Sequence, residues 1–238
     1  MKPVIEALAG AVRDLFKLKV LWIAVWPMLA AVLLWLVLGV TFWDTFSGWI
    51  ASGLDAIGIQ TWLQGVEPRW VANGLQVVAH LFLFVPLVFI TALLITALFA
   101  MSALIDVVAE RDFRHLGRDK SLGTIGGLIN TAIATGIFLA IWVFSLPLWL
   151  TGAGIVVPFF AATYLNQRLF RYDAIAEHAT QKEMQAMISR YRASWWVLGL
   201  LTGLLQFVPV LNLFAPVLTA LAFIRFGLAR LAELRGVA

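Results

Sequence analysis

Three histidines, His80, His115 and His178, and no cysteine make up the stock of imidazole and thiol groups in this 238-residue chain. Their spacing fits no HExxH or comparable ligand pattern. Without cysteine, no thiolate metal site, disulfide framework or cysteine nucleophile can form. No metal and no cofactor are expected. GxSxG, Walker-type and GxGxxG sequences are absent, and no pair of carboxylates lies within an apolar segment. Hydrolase, nucleotide-driven and glycosidase chemistry therefore lacks its reacting groups, and the chain does not read as an enzyme.

Four stretches carry no Asp, Glu, Lys or Arg: Val20 to Trp43, Trp70 to Ile105, Ser121 to Gln167 and Ala193 to Ile224. His80 is the one group within them that titrates near neutral pH, so a buried carboxylate proton relay is disfavoured. A lone His four residues from Gln76 reads as a side chain satisfied by a neighbour or a headgroup. The amides Asn130, Asn166, Gln206 and Asn212 are more suggestive, because an amide in hydrocarbon usually bonds another helix or a released backbone group. Asn212 lies between Pro209 and Pro216, a position that suits a cap on exposed backbone or the lining of a turn.

The elements that must position these groups follow from composition. With 62% hydrophobic and 13% charged residues and a mean hydropathy of +0.94, water is not the solvent for most of the chain. A helix needs about 20 apolar residues to cross the roughly 30 Å hydrocarbon core. The first stretch is thus one span and the second one span with a long extension. The third is a helical hairpin. Its apolar block from Ile125 to Leu146 breaks at Pro147 and at Thr151-Gly152-Ala153-Gly154, then resumes from Ile155 to Tyr164. The fourth is a second hairpin, with Ala193 to Val208 leading in, Pro209 and Pro216 at the turn, and Val217 to Ile224 leading out. Its arms are short for full crossings. A hairpin that dips and returns leaves its turn at membrane depth, where backbone must be covered by protein or line a cavity. Both hairpins either cross or re-enter.

Charge sets the orientation. The net charge of +4 comes from basic residues in the N-terminal segment, in 106–120, in 168–192 and in the tail, which together hold 16 of the 17 Lys and Arg. The remaining one, Arg69, shares the Asp44 to Arg69 loop with Asp44, Asp55 and Glu67. By the positive-inside rule that loop alone leaves the cytoplasm, and both termini stay inside. The same membrane role accounts for the basic balance, so no nucleic acid partner is expected. The apolar run after the N-terminus is too long for a cleavable signal.

Amphipathic segments flank the spans. Val4, Ile5, Leu8, Val12, Leu15 and Phe16 recur at helical spacing, as Phe46, Trp49, Ile50, Leu54 and Ile57 do in the outer loop, and both segments suit helices lying on the bilayer surface. Thr180-Gln181-Lys182-Glu183 is a capping box that should start a helix running on toward Trp195 and Trp196. Gly199-Leu200-Leu201-Thr202-Gly203 is a GxxxG, and Ala132, Gly136 and Ala140 share a helix face, so two surfaces permit close approach within the chain. No repeat or linker divides the sequence, and a single membrane domain over 1–238 is the economical count.

Three runs carry a resemblance: Tyr172-Asp173 with the capping box, Arg190-Tyr191-Arg192, and Phe207-Val208-Pro209-Val210-Leu211-Asn212-Leu213-Phe214-Ala215-Pro216-Val217. Together they resemble the C-terminal half of the etoposide-induced protein family, to which bacterial CysZ sulfate permeases belong. Leu104-Ile105-Asp106-Val107-Val108-Ala109-Glu110 is similar to the run that ends that family's second long helix, and Pro27 matches its first-span proline. The resemblance implies an all-α, multi-pass protein of the bacterial inner membrane, with two long transmembrane helices and two helical hairpins. In several members it implies a homo-oligomer that moves sulfate. Sulfate-transporting relatives carry adjacent arginines before that proline; the corresponding positions here are Leu21 and Trp22, and the nearest cations are Lys17 and Lys19. The candidate anion-binding residues are therefore Lys17, Lys19 and Asn212, with Pro147, Gly152, Gly154, Pro209 and Pro216 at the hairpin turns. Two functions follow as expectations. One is a permease or channel for sulfate or a similar small inorganic anion, whose hairpin turns supply backbone N–H donors and nearby Lys or Arg the charge. The other is a non-transporting scaffold, assembly factor or lipid-contacting protein of the same fold.

Overall fold

The structure is a computed structural model and describes residues 1–59, 62, 65–119, 123–205, 208 and 214–237. The described residues are almost all helical. The elements are α1 (Lys2–Leu15), α2 (Leu18–Thr41), α3 (Trp43–Ala56), α4 (Arg69–Asp112), α5 (Gly123–Phe144), the single turn α6 (Leu146–Trp149), a 3-10 turn (Ala153–Val156), α7 (Val157–Ala176), α8 (Gln181–Arg190), α9 (Arg192–Leu205) and α10 (Ala215–Leu234). Among the described residues, three segments are long and apolar enough to cross a membrane: Leu18–Thr41, Arg69–Thr96 and Gly126–Phe144. Asn212, Gln206 and Pro209 lie outside the described residues.

The chain forms two compact units, one of 1–23 with 100–238 and one of 24–99. In the first, α10 is the central helix, buried along almost its whole length and packed most extensively on α1 and α7. Its Phe223 stacks on Trp195 at 5.7 Å, and Phe226 meets the same indole edge-on at 4.7 Å. The Trp195 Nε1–H donates to the Met187 carbonyl at 3.3 Å, so a fully buried indole leaves no donor unpaired. Gly227 on α10 lies against Ile175 and Trp195, where a methyl group would meet the Ile175 side chain at 2.5 Å.

α5 and α7 pack on one another across the turn that the sequence places between them. Pro147 sits in the first turn of α6, where a missing N–H costs nothing. Gly152 takes the left-handed φ of +77° and starts the reversal, and Gly154 lies so close to Trp149 that a side chain there would collide with the indole. Trp149 in turn stacks on Trp142 of α5 at 5.9 Å. Pro216 occupies the first turn of α10 in the same way as Pro147 does in α6. At 14 residues α9 spans about 21 Å, short of the roughly 30 Å core.

The sequence and structure part company at three places. The helix opened by the capping box ends at Arg190, and Tyr191 breaks it before α9 begins, so it does not run unbroken to Trp195. The apolar residues of α1 split into two stripes. Val4, Ala7, Ala11 and Leu15 are buried, with α1 packed on α10, while Ile5, Val12 and Phe16 stay exposed. Of the six residues that were to rest on lipid, Val4 and Leu15 are thus covered by protein. Of the two close-approach surfaces, Gly199 carries one against α7, whereas nothing lies within 4 Å of a methyl group placed on Gly136.

The second unit has little interior. Trp35 meets Phe84 at 6.0 Å and Phe46 at 6.3 Å, and its Nε1–H donates to Thr91 Oγ1 at 2.9 Å. Most other side chains of α2 and α4 here are exposed and apolar, as expected of helices whose solvent is hydrocarbon. A groove of about 880 Å³ runs between them, lined chiefly by aliphatic and aromatic side chains with Asn73, Gln76 and His80 among them.

Candidate anion-binding site

α1 ends at Leu15 and α2 starts at Leu18, so Lys17 lies in the connecting turn and Lys19 in the first turn of α2. Both border a recess of about 400 Å³ whose other walls are Leu18, Val107, Glu110, Arg111 and Arg114. Val107, Glu110 and Arg111 form one face of α4 by their i, i+3, i+4 spacing, and Arg114 follows in the turn just past the helix end. Four cations and one carboxylate thus converge on a small recess at the foot of a membrane-spanning helix.

The four cations are not equivalent. Lys17 is paired with Asp14, and Arg111 reaches the same carboxylate at 3.5 Å and Asp112 at 3.5 Å. Asp14 is 1% exposed and also accepts from Arg225 Nε at 2.5 Å, while Arg225 Nη2 donates to Asp112 Oδ2 at 2.7 Å. Lys17 and Arg111 are thereby drawn into a network that joins α1, the end of α4, and α10. Among the described residues Lys19 enters no ion pair, and the Arg114 Nε–H donates to the Glu110 carbonyl, which leaves its charge uncompensated. Lys19 and Arg114 are therefore the cations the recess offers to an anion. Sequence reasoning singled out Lys17 and Lys19 but missed Arg111 and Arg114. The signal that could have found them is the pair of arginines in the basic segment directly after the second uncharged stretch.

Of the remaining polar candidates, His80 and Asn130 have partners, the Asn166 Nδ2 is buried without one among the described residues, and Gln206 and Asn212 lie outside those residues. The His80 Nδ1 lies 2.8 Å from the Gln76 carbonyl, which can only accept, so Nδ1 carries the proton and Nε2 accepts from Ser47 Oγ at 3.2 Å. Stacked on Trp43 at 4.9 Å, the ring is satisfied by neighbours, as the sequence suggested. Asn130 bonds Arg168 of α7 and so ties the two helices of the hairpin together. No group of three or more acidic or imidazole side chains that could hold a metal occurs among the described residues.

These elements define an all-helical membrane protein with several apolar helices long enough to cross a bilayer and a basic recess beside the first of them. The family described as sulfate transporter CysZ/etoposide-induced protein 2.4 matches residues 7–216, and the chain belongs to that family. No curated protein and no solved structure gives a significant match.

Proposed function

We propose that the chain is a permease or channel for sulfate or a similar small inorganic anion, set in the inner membrane of a bacterium with both termini in the cytoplasm. The observation that carries this reading is the recess where Lys19 and Arg114 stand beside the first apolar helix without a carboxylate partner. Lys17, held by Asp14, adds positive potential at its rim. Asn212, between Pro209 and Pro216, is proposed to line the second hairpin turn. The orientation is supported by the basic residues, 16 of 17 of which fall on segments placed inside. Membership of a transporter family supports a protein that moves its substrate rather than one that transforms it.

Radiolabelled sulfate uptake into proteoliposomes tests this directly. The purified protein should carry sulfate faster than empty vesicles, and K19Q/R114Q should slow it. Uptake no faster than in empty vesicles overturns the proposal. Orientation is tested separately on this cysteine-free chain: a cysteine introduced at Ser52 should react with an impermeant maleimide from outside the cell, and one at Gly117 should not.

Two observations favour a second reading. Leu21 and Trp22 stand where sulfate-transporting relatives carry arginines, and α1 exposes Ile5, Val12 and Phe16 as a membrane-facing stripe would. In that reading the protein is a lipid-contacting scaffold, and the vesicle experiment returns no flux.

A further inference from the structure

Two arginines in the structure lack the partner every other half-buried arginine has. Arg225 lies on Asp14 and Asp112, Arg230 on Glu233 and Arg235 on Glu183. Arg168 and Arg171, one turn apart on α7 and both half-buried, meet no carboxylate among the described residues. Their partners are neutral. Arg168 donates from Nη1 to the Tyr164 hydroxyl at 2.6 Å and from Nε to Asn130 Oδ1 at 3.3 Å, and the Asn130 amide returns a bond to the Arg168 carbonyl at 3.5 Å. Arg171 donates from Nη1 to Gln167 Oε1 at 3.1 Å, while its Nε is buried with no partner.

Like charges at this spacing repel, and removing them from water adds to the cost. Burial first, and then Arg168, pull the Arg171 pKa down to about 10, which leaves it a cation at neutral pH. The nearest acid in sequence, Asp173, is two positions from Arg171, a spacing that places it on another side of the helix. Its own carboxyl is pushed up to about 6 by burial, with no cation to offset that. The fold therefore holds two guanidinium forks in place with amides and a phenol and leaves the charge open. That arrangement suits a planar fork's preferred ligand, a group with several oxygens and negative charge.

We propose that Arg168 and Arg171, oriented by Asn130, Tyr164 and Gln167, form a binding site between α5 and α7 for a tetrahedral sulfate- or phosphate-type group. The group comes from a free oxyanion or from the headgroup of an anionic lipid. The site is separate from the Lys19–Arg114 recess and stands whether or not the chain moves an anion, because binding is measured without flux.

The test uses the full chain in detergent. One arm measures radiolabelled sulfate binding by equilibrium dialysis, and the other measures binding of short-chain phosphatidylglycerol by native mass spectrometry. R168Q/R171Q should weaken binding about tenfold or more, R168K/R171K should fall between it and the parent, and N130A should weaken binding with both charges kept. Circular dichroism reports whether each variant keeps its helices, and R168K/R171K and N130A keep the test open should R168Q/R171Q fail to fold. Arginine-dependent sulfate binding assigns the site to a free anion, and arginine-dependent binding of the lipid alone assigns it to a headgroup. Binding in neither arm overturns the proposal, as does binding unchanged in the folded arginine variants or lost instead in K19Q/R114Q.

Discussion

Arg225 Nε lies 2.5 Å from Asp14 Oδ2, a bond between residues 211 positions apart in sequence. It fastens α1 to the central helix α10, and the approach is tight enough that a methyl group on Gly10 would meet the Arg225 side chain at 2.7 Å. Asp14 is nearly sealed from solvent and receives Lys17 and Arg111 as well, so the carboxylate is the hub of the network.

Breaking a buried pair by removing one partner leaves a desolvated charge, which costs on the order of 3–5 kcal/mol. D14N should therefore lower the thermal unfolding temperature of the detergent-solubilised protein substantially. D112N touches a partner with 29% of its side chain exposed and should cost much less. Equal losses in the two variants would show that Asp14 is not the hub.

The glycine seam of α9 gives a second prediction. A Cβ on Gly199 would stand 2.7 Å from Gln167 Cβ and 3.3 Å from the Thr163 carbonyl, so α7 has to move to admit it. G199A should destabilise by about 1–3 kcal/mol. G136A meets open space and should be neutral or slightly stabilising, since alanine is the better helix former. Thermal unfolding of the two variants separates seam from surface.

Much of this was legible in the residues. The uncharged stretches predict the apolar helices, Pro147 and Gly152 mark the α5–α7 turn, and Thr180 and Glu183 form both bonds of their capping box, at 3.3 Å and 2.8 Å. These are local signals, written within one or two helical turns. What the sequence hid is long-range. The Asp14–Arg225 bond joins distant segments, and the packing of α1 on α10 depends on a partner surface that periodicity cannot name. GxxxG spacing marked Gly199 but could not distinguish it from the open face at Gly136. The candidate site was half legible: Lys19 stood out beside the first span, while the place of Arg114 in the recess depends on how the turn after α4 folds against the start of α2.

Asp173 supplies a pH dependence of known sign. Burial raises its carboxyl from 3.8 to about 6, so ionising it is harder in the fold than in the unfolded chain. Stability from this group is full below about pH 3.8, falls as pH rises toward 6, and stays reduced above that. D173N should stabilise the protein at pH 7 by on the order of 1–3 kcal/mol, and the gain should vanish below pH 4. A gain that is the same at pH 4 and pH 7 would mean that its cause is not the charge.

Glu183 titrates with the opposite sign. The fork of Arg235, whose Nε and Nη2 reach its two oxygens at 2.8 and 2.9 Å, is the first cause that holds its carboxyl at about 2; burial opposes the shift, and the amide of Thr180 adds to it. A depressed acid stabilises the fold above its unfolded value of about 4.5 and loses that contribution as pH falls toward 2. The same guanidinium donates to the His178 carbonyl at 2.7 Å, so Arg235 ties the end of α10 to the start of α8. R235Q should raise the Glu183 pKa toward the ordinary carboxylate range and move the onset of acid unfolding to higher pH. R235K keeps the charge but not the fork and should recover only part of the shift. Following helix content against pH for the three proteins checks this, and coincident curves would show that the clasp does not couple protonation to folding.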